Sequence, residues 1–185
     1  MDYIENMQSM LSDGYTMNEV AENLYLNYHS VINIDEVYQL RKAIATKYDC
    51  NLNDVKLIGS SHTGYTYKDG KLLKRENPKD YDFAIINADV YIRFFHMIDI
   101  EKISGKGKRF LEKLEKMNKE IMEETGVSKH VSICFYLSEK DFIDGLVKYN
   151  SELYAGELRR ISEQKDRISD LENLSDMKIV DKLEE

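Results

Sequence analysis

The sequence has few of the residues that define disulfide-rich, zinc-binding or membrane-spanning proteins. It contains two cysteines among 185 residues, one proline and no tryptophan. Cys50 and Cys134 cannot build a disulfide framework, and no Cys/His cluster has zinc-site spacing. No apolar run approaches the roughly 18 residues of a membrane-spanning helix, and the first segment is acidic where a signal peptide would be basic. We therefore expect a cytoplasmic protein that has neither redox nor structural metal chemistry and no membrane partner.

An excess of positive charge is also missing. The chain carries 26 basic and 34 acidic residues, for a formal net charge of −8. This balance argues against a general nucleic-acid coat, although a local basic patch could still bind a polyanion. With 42% hydrophobic and 32% charged residues the chain is typical of a globular protein. We predict one domain over 1–150, which includes N-terminal helices, and a helical appendage over 151–185. The abundance of Lys, Glu, Ile and Asn suggests a bacterial or phage genome.

The spacing of apolar residues predicts an α+β fold. Helical periodicity is found at about 17–28 and 35–48, after which the period changes and residues 55–59, VKLIG, indicate a strand that ends in a Gly-Ser turn. YTYKDGKLL predicts a hairpin with its turn at Asp69-Gly70. An acidic strand is predicted from residue 80, followed by a loop that contains Asp89 and Arg93. After the loop we predict an amphipathic helix over about 107–124, a strand over 130–137 and a helix capped by Ser138.

The sharpest chemical feature is the Gly-Ser turn followed by an acidic strand. Alternate residues of a strand face the same way, so Asp80 and Asp82 project together with Cα atoms about 6.5–7 Å apart. Two carboxylates at this separation repel each other unless a divalent cation lies between them, and hard oxygen ligands suit Mg²⁺ or Mn²⁺. Gly59 would let the backbone approach a ligand closely, and Ser60 could open a helix facing phosphate oxygens. This pattern predicts a turn that holds a triphosphate tail beside carboxylates that hold the metal.

The ordered pair LIGSS and DYDF resembles the signature of the polymerase-β-type nucleotidyltransferase superfamily, across roughly residues 33–137. That signature is an apolar strand, Gly-Gly or Gly-Ser, a spacer, and then Asp, apolar, Asp or Glu, apolar. More narrowly, residues 59–85 are similar to nucleotidyltransferase-like domains at the C-termini of bacterial polymorphic toxins. The resemblance implies a small mixed sheet flanked by helices. It also implies an enzyme that moves a nucleotidyl group from a nucleoside triphosphate to an acceptor, which is an RNA, a protein or a small molecule. Such an enzyme would act in toxicity or defence.

The candidate site has catalytic and nucleotide-binding residues. Asp80 and Asp82 are the predicted catalytic and metal-binding residues. The predicted nucleotide-binding residues are Gly59, Ser60, Ser61, His62, Lys71, Lys74 and Arg75. We expect the basic hairpin residues to bind the triphosphate or an RNA acceptor, with the hairpin tip above the cleft; a merely solvated hairpin is the alternative.

The sequence departs from the family pattern in two ways. The spacer between the turn and the acidic strand is long and is filled by the predicted hairpin. The superfamily also places a third carboxylate on a neighbouring strand, where this chain has Ser132 and Cys134. The alternative function is therefore a degenerate nucleotidyltransferase fold that binds a nucleotide or a partner protein without turnover.

Two further features have competing interpretations. Cys134 is expected to be a buried strand residue, because no His and acid can be paired with it as for a nucleophile. The segment after residue 151 has apolar positions that suit a docked or self-associating helix, and a solvated helix is the alternative.

Overall fold

The computed structural model describes residues 2–28, 34–94 and 107–183. Within these ranges the chain has seven helices, a small mixed three-stranded sheet and a two-stranded hairpin, which is an α+β architecture, as predicted. In chain order the elements are α1 Tyr3–Ser12, α2 Met17–Asn27, α3 Ile34–Tyr48, β1 Val55–Ile58, α4 Gly59–Thr63, β2 Tyr65–Lys68, β3 Lys71–Lys74, β4 Asp80–Ile86, α5 (88–94), α6 Gly107–Thr125, β5 His130–Tyr136 and α7 Glu139–Leu183.

The helix α1 is not predicted by the spacing of apolar residues in the sequence. Its start is a capping box, in which the Asp2 side chain accepts from the backbone N–H of Glu5 while the Glu5 carboxylate accepts from the N–H of Asp2. The helix buries Tyr3, Ile4 and Met7 against α2 and α7. This packing closes one end of the fold and brings Asp2 close to the hairpin.

The three-stranded sheet has the order β1-β4-β5. β1 is antiparallel to β4, whereas β4 and β5 are parallel and are joined by a connection that contains α6. The register aligns Ile58, Asp82 and Ser132 across the three strands. The last residue before the Gly-Ser turn is therefore the direct neighbour of Asp82.

The two faces of the sheet pack against different helices. Tyr81, Phe83 and Ile85 share the main core cluster with residues of α3 and α6. Ala84 and Cys134, on the other face, pack with Phe142 of α7 and with α2. Alternation along β4 places the Asp82 side chain on this second face, at the edge of the apolar cluster.

The hairpin β2–β3 forms as predicted and packs on α7. Asp69 and Gly70 both have positive φ, of 52° and 77°, as expected for the tight turn of a hairpin. A Cβ added to Gly156 of α7 would lie 2.9 Å from Cδ2 of Tyr67, so the glycine permits a close approach of helix and hairpin. A Cβ on Gly70 would lie 3.1 Å from a guanidinium nitrogen of Arg159, which places the hairpin tip beside α7.

The helix α7 passes through residue 150 without a break. Its start is capped as predicted, with the backbone N–H of Asp141 donating to the Ser138 hydroxyl at 3.2 Å. Leu153 and Glu157, beyond the predicted boundary at 150, are buried. The first turns after residue 150 are thus packed against the N-terminal helices and the hairpin.

Residues 88–94 are helical, so the prediction of a loop containing Asp89 and Arg93 is wrong. The side chain of Asn87 caps this helix by accepting from the backbone N–H of Val90 at 3.0 Å, and Val90 and Phe94 are buried. Within the described residues, none of the helices combines the length and apolar character needed to span a bilayer.

Candidate functional site

Gly59 and Asp82 are in direct contact. Gly59 has φ of +64°, and a Cβ added to it would lie 2.5 Å from Oδ2 of Asp82. Any side chain at this position would clash with the carboxylate and would also be strained by the positive φ. The tertiary structure thus joins the two sequence motifs, because the turn after β1 lies directly against the acidic strand.

The second oxygen of Asp82 is held by the neighbouring strand. Ser132 stands opposite Asp82 in the register, and its hydroxyl donates a short hydrogen bond to Oδ1 of Asp82. Asp80 is exposed and is aligned with His130 on β5. The position on β5 that faces Asp82 therefore carries a hydroxyl and not an acid, as the sequence indicates.

The predicted phosphate turn is the short helix α4, whose side chains hold it together internally. Ser61 is buried and its hydroxyl donates to the carbonyl oxygen of Ile58 at 3.0 Å. The Thr63 hydroxyl lies 3.1 Å from the carbonyl oxygens of both Gly59 and Tyr65. Since the Ser61 hydroxyl is used in folding the turn, Ser60 is the more available hydroxyl of the pair.

Tyr149 of α7 connects this turn to the region of Asp82. Its hydroxyl donates to the carbonyl oxygen of Tyr65 at 2.8 Å and lies 3.4 Å from the Thr63 hydroxyl. Burial raises the pKa of Tyr149, and the negative charge of Asp82 raises it further. Tyr149 therefore remains a neutral hydroxyl that ties α7 to the turn.

A pocket of about 400 Å³ lies beside α4. Its lining includes five of the predicted nucleotide-binding residues, namely Ser60, Ser61, His62, Lys74 and Arg75. Gly59, Lys71, Asp80 and Asp82 are not among the described residues that line it. The structure thus divides the predicted site residues into two groups. Gly59, Asp80 and Asp82 lie at the turn after β1 and on β4, whereas five others line the pocket. Lys71 belongs to neither group.

The rim of the pocket brings together residues from distant parts of the chain. The carboxylate of Asp2 accepts a hydrogen bond from the Tyr65 hydroxyl and lies 3.6 Å from Nζ of Lys74. The Tyr81 hydroxyl donates to Glu36. Because burial and these hydrogen-bonded carboxylates raise the pKa values of Tyr65 and Tyr81, both phenols stay protonated.

Two more side chains complete this rim. The ammonium group of Lys129 lies 5.0 Å from the centre of the Tyr81 ring and donates to Oδ1 of Asn77 at 3.2 Å. The ring of His62 makes edge contacts with the rings of Tyr3 and Tyr28, with centroids 6.0 Å and 5.6 Å apart.

Sequence reasoning missed eleven of the sixteen described residues that line the pocket, and four of them show why. Tyr28, Glu36, Tyr81 and Lys129 all line it, yet they belong to four separate segments. Tyr28 and Tyr81 follow the apolar pattern of core residues, while Glu36 and Lys129 have no local motif. No signal within a single segment identifies them.

The carboxylates allow a metal site of limited size. In the part of the chain that the structure describes, no group of three or more His, Cys, Asp and Glu side chains is placed to share a metal ion. Mg²⁺ is commonly bound by one or two carboxylates together with water and substrate phosphates. Asp80 and Asp82 fit such a site only if a ligand supplies further oxygens.

Comparisons of the chain with protein-family models, with curated proteins and with solved structures find no match.

Proposed function

We propose that this chain is a metal-dependent nucleotidyltransferase with a polymerase-β-like core. The observation that carries the proposal is the contact between Gly59 and Asp82, with Asp80 two residues away on the same face of β4. It unites a turn that only glycine can make with the strand that carries paired carboxylates. The chain order of strand, Gly-Ser turn, acidic strand, helix and strand, in a small mixed sheet, supports the same proposal.

In this proposal Asp80 and Asp82 hold Mg²⁺ or Mn²⁺, which arrives with the phosphates of a nucleoside triphosphate. These two carboxylates would hold an ion whose charge would offset that of the phosphates, while an acceptor hydroxyl displaces pyrophosphate from the α-phosphorus. The Gly59 backbone and the Ser60 hydroxyl would lie beside the phosphates. The chain's own contribution is mostly positioning and charge stabilisation, because phosphoryl transfer requires little covalent chemistry from the protein.

The acceptor is an RNA, a protein hydroxyl or a small molecule. The exposed basic residues of the hairpin, Lys71 and Arg75, favour an acceptor with phosphates. A toxin or defence role in a bacterial or phage setting remains part of the proposal, as does self-association through the C-terminal part of α7.

A second candidate function is supported by the Ser132 hydroxyl. It stands where the superfamily has its third carboxylate, and it donates to Asp82. Without that acid, an attacking hydroxyl lacks a base and the metal lacks one of its expected ligands. The chain would then bind a nucleotide or a partner protein without turnover.

Calorimetry separates the two candidates when it is combined with a transfer assay. The wild type, Asp82→Asn and Asp80→Asn are titrated with the four nucleoside triphosphates, with and without Mg²⁺, and are then incubated with labelled nucleotide and cell extract. A labelled acceptor that disappears in both variants supports the enzyme. Mg²⁺-dependent binding without product supports the binding module.

Asp89→Asn is the matched control, since Asp89 is an exposed acid on α5. It should bind and react as the wild type does. If the wild type binds no triphosphate, or if Asp82→Asn behaves as the wild type does, the assignment of the carboxylates is wrong.

A further inference from the structure

We propose that the pocket between α4, the end of β3 and the start of β4 binds a nucleoside 5′-monophosphate without a metal ion. The pocket brings two basic residues, Arg75 and Lys129, to one end of a cavity that is also lined by the aromatic rings of Tyr28, His62 and Tyr65. The proposal does not require the transfer reaction proposed above, although that proposal also uses Ser60 and Arg75, which line this pocket. It concerns a different face of the sheet, because Tyr81 lines the pocket whereas Asp82 projects from the opposite side of β4.

The size and walls of the pocket suit a planar ring. Its volume of about 400 Å³ lies in the range typical of small-molecule sites, roughly 300–1,000 Å³. Tyr28, His62 and Tyr65 contribute partly exposed aromatic rings, whereas Tyr81 is fully buried beneath the pocket. The hydroxyl of Tyr65 is anchored on Asp2, so this ring is held in place. Fixed aromatic rings favour stacking with a nucleobase at little entropic cost.

The basic end of the pocket suits a phosphate group. Lys129 donates to the neutral amide of Asn77, two residues after Arg75, so both cations belong to the same end. Among the described residues, neither cation has a carboxylate within ion-pair distance. A guanidinium group can bind two phosphate oxygens at once, and an adjacent ammonium adds a third contact.

The acidic residues of the pocket limit the charge of the anion that it can hold. Asp2 is already paired with Lys74 and hydrogen-bonded by Tyr65, and Glu36 accepts from Tyr81. Glu36 keeps its charge, because the phenol that donates to it is neutral, and Glu76 is an exposed acid of the rim. The formal charges of the lining therefore balance, with three acids and three cations, which suits a phosphate monoester better than a more highly charged triphosphate.

The backbone holds the basic end in position. The N–H of Arg75 donates to the carbonyl oxygen of Gly64 at 2.7 Å, which ties the end of the hairpin to the end of α4. The Arg75 side chain therefore starts from a fixed point although its guanidinium is exposed. A preorganised start lowers the entropy lost on binding.

Calorimetric titration of the full chain with AMP, GMP, CMP and UMP in the presence of EDTA tests the proposal. We expect at least one of them to bind, and Arg75→Gln and Lys129→Gln each to weaken that binding by about tenfold or more, since each removes a charge-assisted contact. Lys68→Gln is the matched control, because Lys68 is an exposed cation on the same hairpin that does not line the pocket. Its affinity should equal that of the wild type, and circular dichroism should show that all three variants are folded.

Several results would overturn the proposal. One is the absence of binding by any of the four monophosphates, and another is equal affinity of all three variants. Inorganic phosphate binding as tightly as the nucleotide would remove the role of the aromatic walls. Binding that requires Mg²⁺ and is lost in Asp82→Asn would place the nucleotide at the carboxylates, which would contradict the pocket but support the proposed function. Metal-free binding that survives in Asp82→Asn supports the pocket whatever the fate of the transferase proposal.

Discussion

Ser132 and Asp82 face each other across β5 and β4, and the Ser132 hydroxyl donates a hydrogen bond to Oδ1 of Asp82. The other carboxylate oxygen, Oδ2, lies against Gly59. One oxygen of Asp82 is thus hydrogen-bonded by β5, and the other lies close to the turn after β1. The orientation of this carboxylate is set before any ligand arrives, which is what a binding or catalytic group requires.

Substitution of Gly59 tests the close approach to Asp82. Gly59→Ala should lower the free energy of unfolding by more than the roughly 1–2 kcal/mol of a left-handed alanine, because its Cβ would also lie 2.5 Å from Oδ2 of Asp82. Gly126→Ala is the matched control, with a similar φ of +69° and nothing within 4 Å of the added Cβ. Urea unfolding of both variants provides the comparison. Equal losses would show that the contact between Gly59 and Asp82 has no energetic consequence.

Removal of the Ser132 hydroxyl should destabilise the fold modestly. Ser132→Ala deletes a hydrogen bond to a charged group, for which we expect a loss of about 1–2 kcal/mol, since the site is half-buried and water can replace part of the bond. Ser9→Ala, at an exposed position of α1, should change stability by less than about 0.5 kcal/mol. Chemical denaturation curves measure both values. A Ser132→Ala variant as stable as the wild type would contradict a structural role of the hydrogen bond.

A carboxylate at residue 132 should make stability depend on metal. Ser132→Asp places two acids directly opposite each other, so without divalent ions it should be less stable than the wild type. Addition of Mg²⁺ or Mn²⁺ should raise its melting temperature more than that of the wild type, because a cation bound only by the folded state stabilises it. Differential scanning calorimetry with and without metal gives both shifts. Identical shifts in the two proteins would argue against a metal site at Asp82.

Asp2, which caps α1, should contribute a pH-dependent part of the stability. Burial alone would raise its pKa, but hydrogen bonds from Tyr65 and from the Glu5 backbone, together with Lys74, bring the pKa below the ordinary value of 3.8. The ionised form is therefore favoured by folding, so its contribution is present above that value and is lost as the pH falls through the lowered pKa.

Asp2→Asn preserves an N-cap but removes the charge, so it isolates this contribution. At neutral pH we expect it to be less stable than the wild type, with the difference shrinking as the pH falls below 3.8. Unfolding curves collected across the acid range measure the difference, and Glu22→Gln, at an exposed position of α2, is the control. A difference that stays constant down to the acid limit would contradict the assigned contacts of Asp2.

The two thiols should react slowly in the native protein. Burial raises the pKa of both Cys50 and Cys134 to about 11, helped by the negative charges of Asp54 and Asp82 respectively. At pH 8 about one thiol in a thousand is then a thiolate, the form that reacts. Labelling with a disulfide reagent should be slow in native buffer and fast in denaturant. Rapid labelling of the native protein would contradict this assignment.

The sequence by itself determined those features that depend on local spacing. The apolar periods of 17–28 and 35–48 match α2 and most of α3, and Asp69-Gly70 forms the hairpin turn because its residues tolerate positive φ. The Gly-Ser turn after β1 and the acidic strand β4 were likewise predictable from neighbouring residues. Where the segment was short, as at α1, or followed a strand without a turn signal, as at 88–94, the local pattern was too weak to define the helix.

Only the tertiary structure decided which distant residues meet. The strand register places Ser132 opposite Asp82, and the turn after β1 brings Gly59 against the same carboxylate. The pocket likewise collects Glu36, Tyr81 and Lys129 from three segments. Register, close backbone approach and cavities arise from packing between segments far apart in the chain, and such packing leaves no periodic signal within any one of them. The sequence therefore indicates the chemical groups of the candidate site, whereas packing determines which of them share a surface.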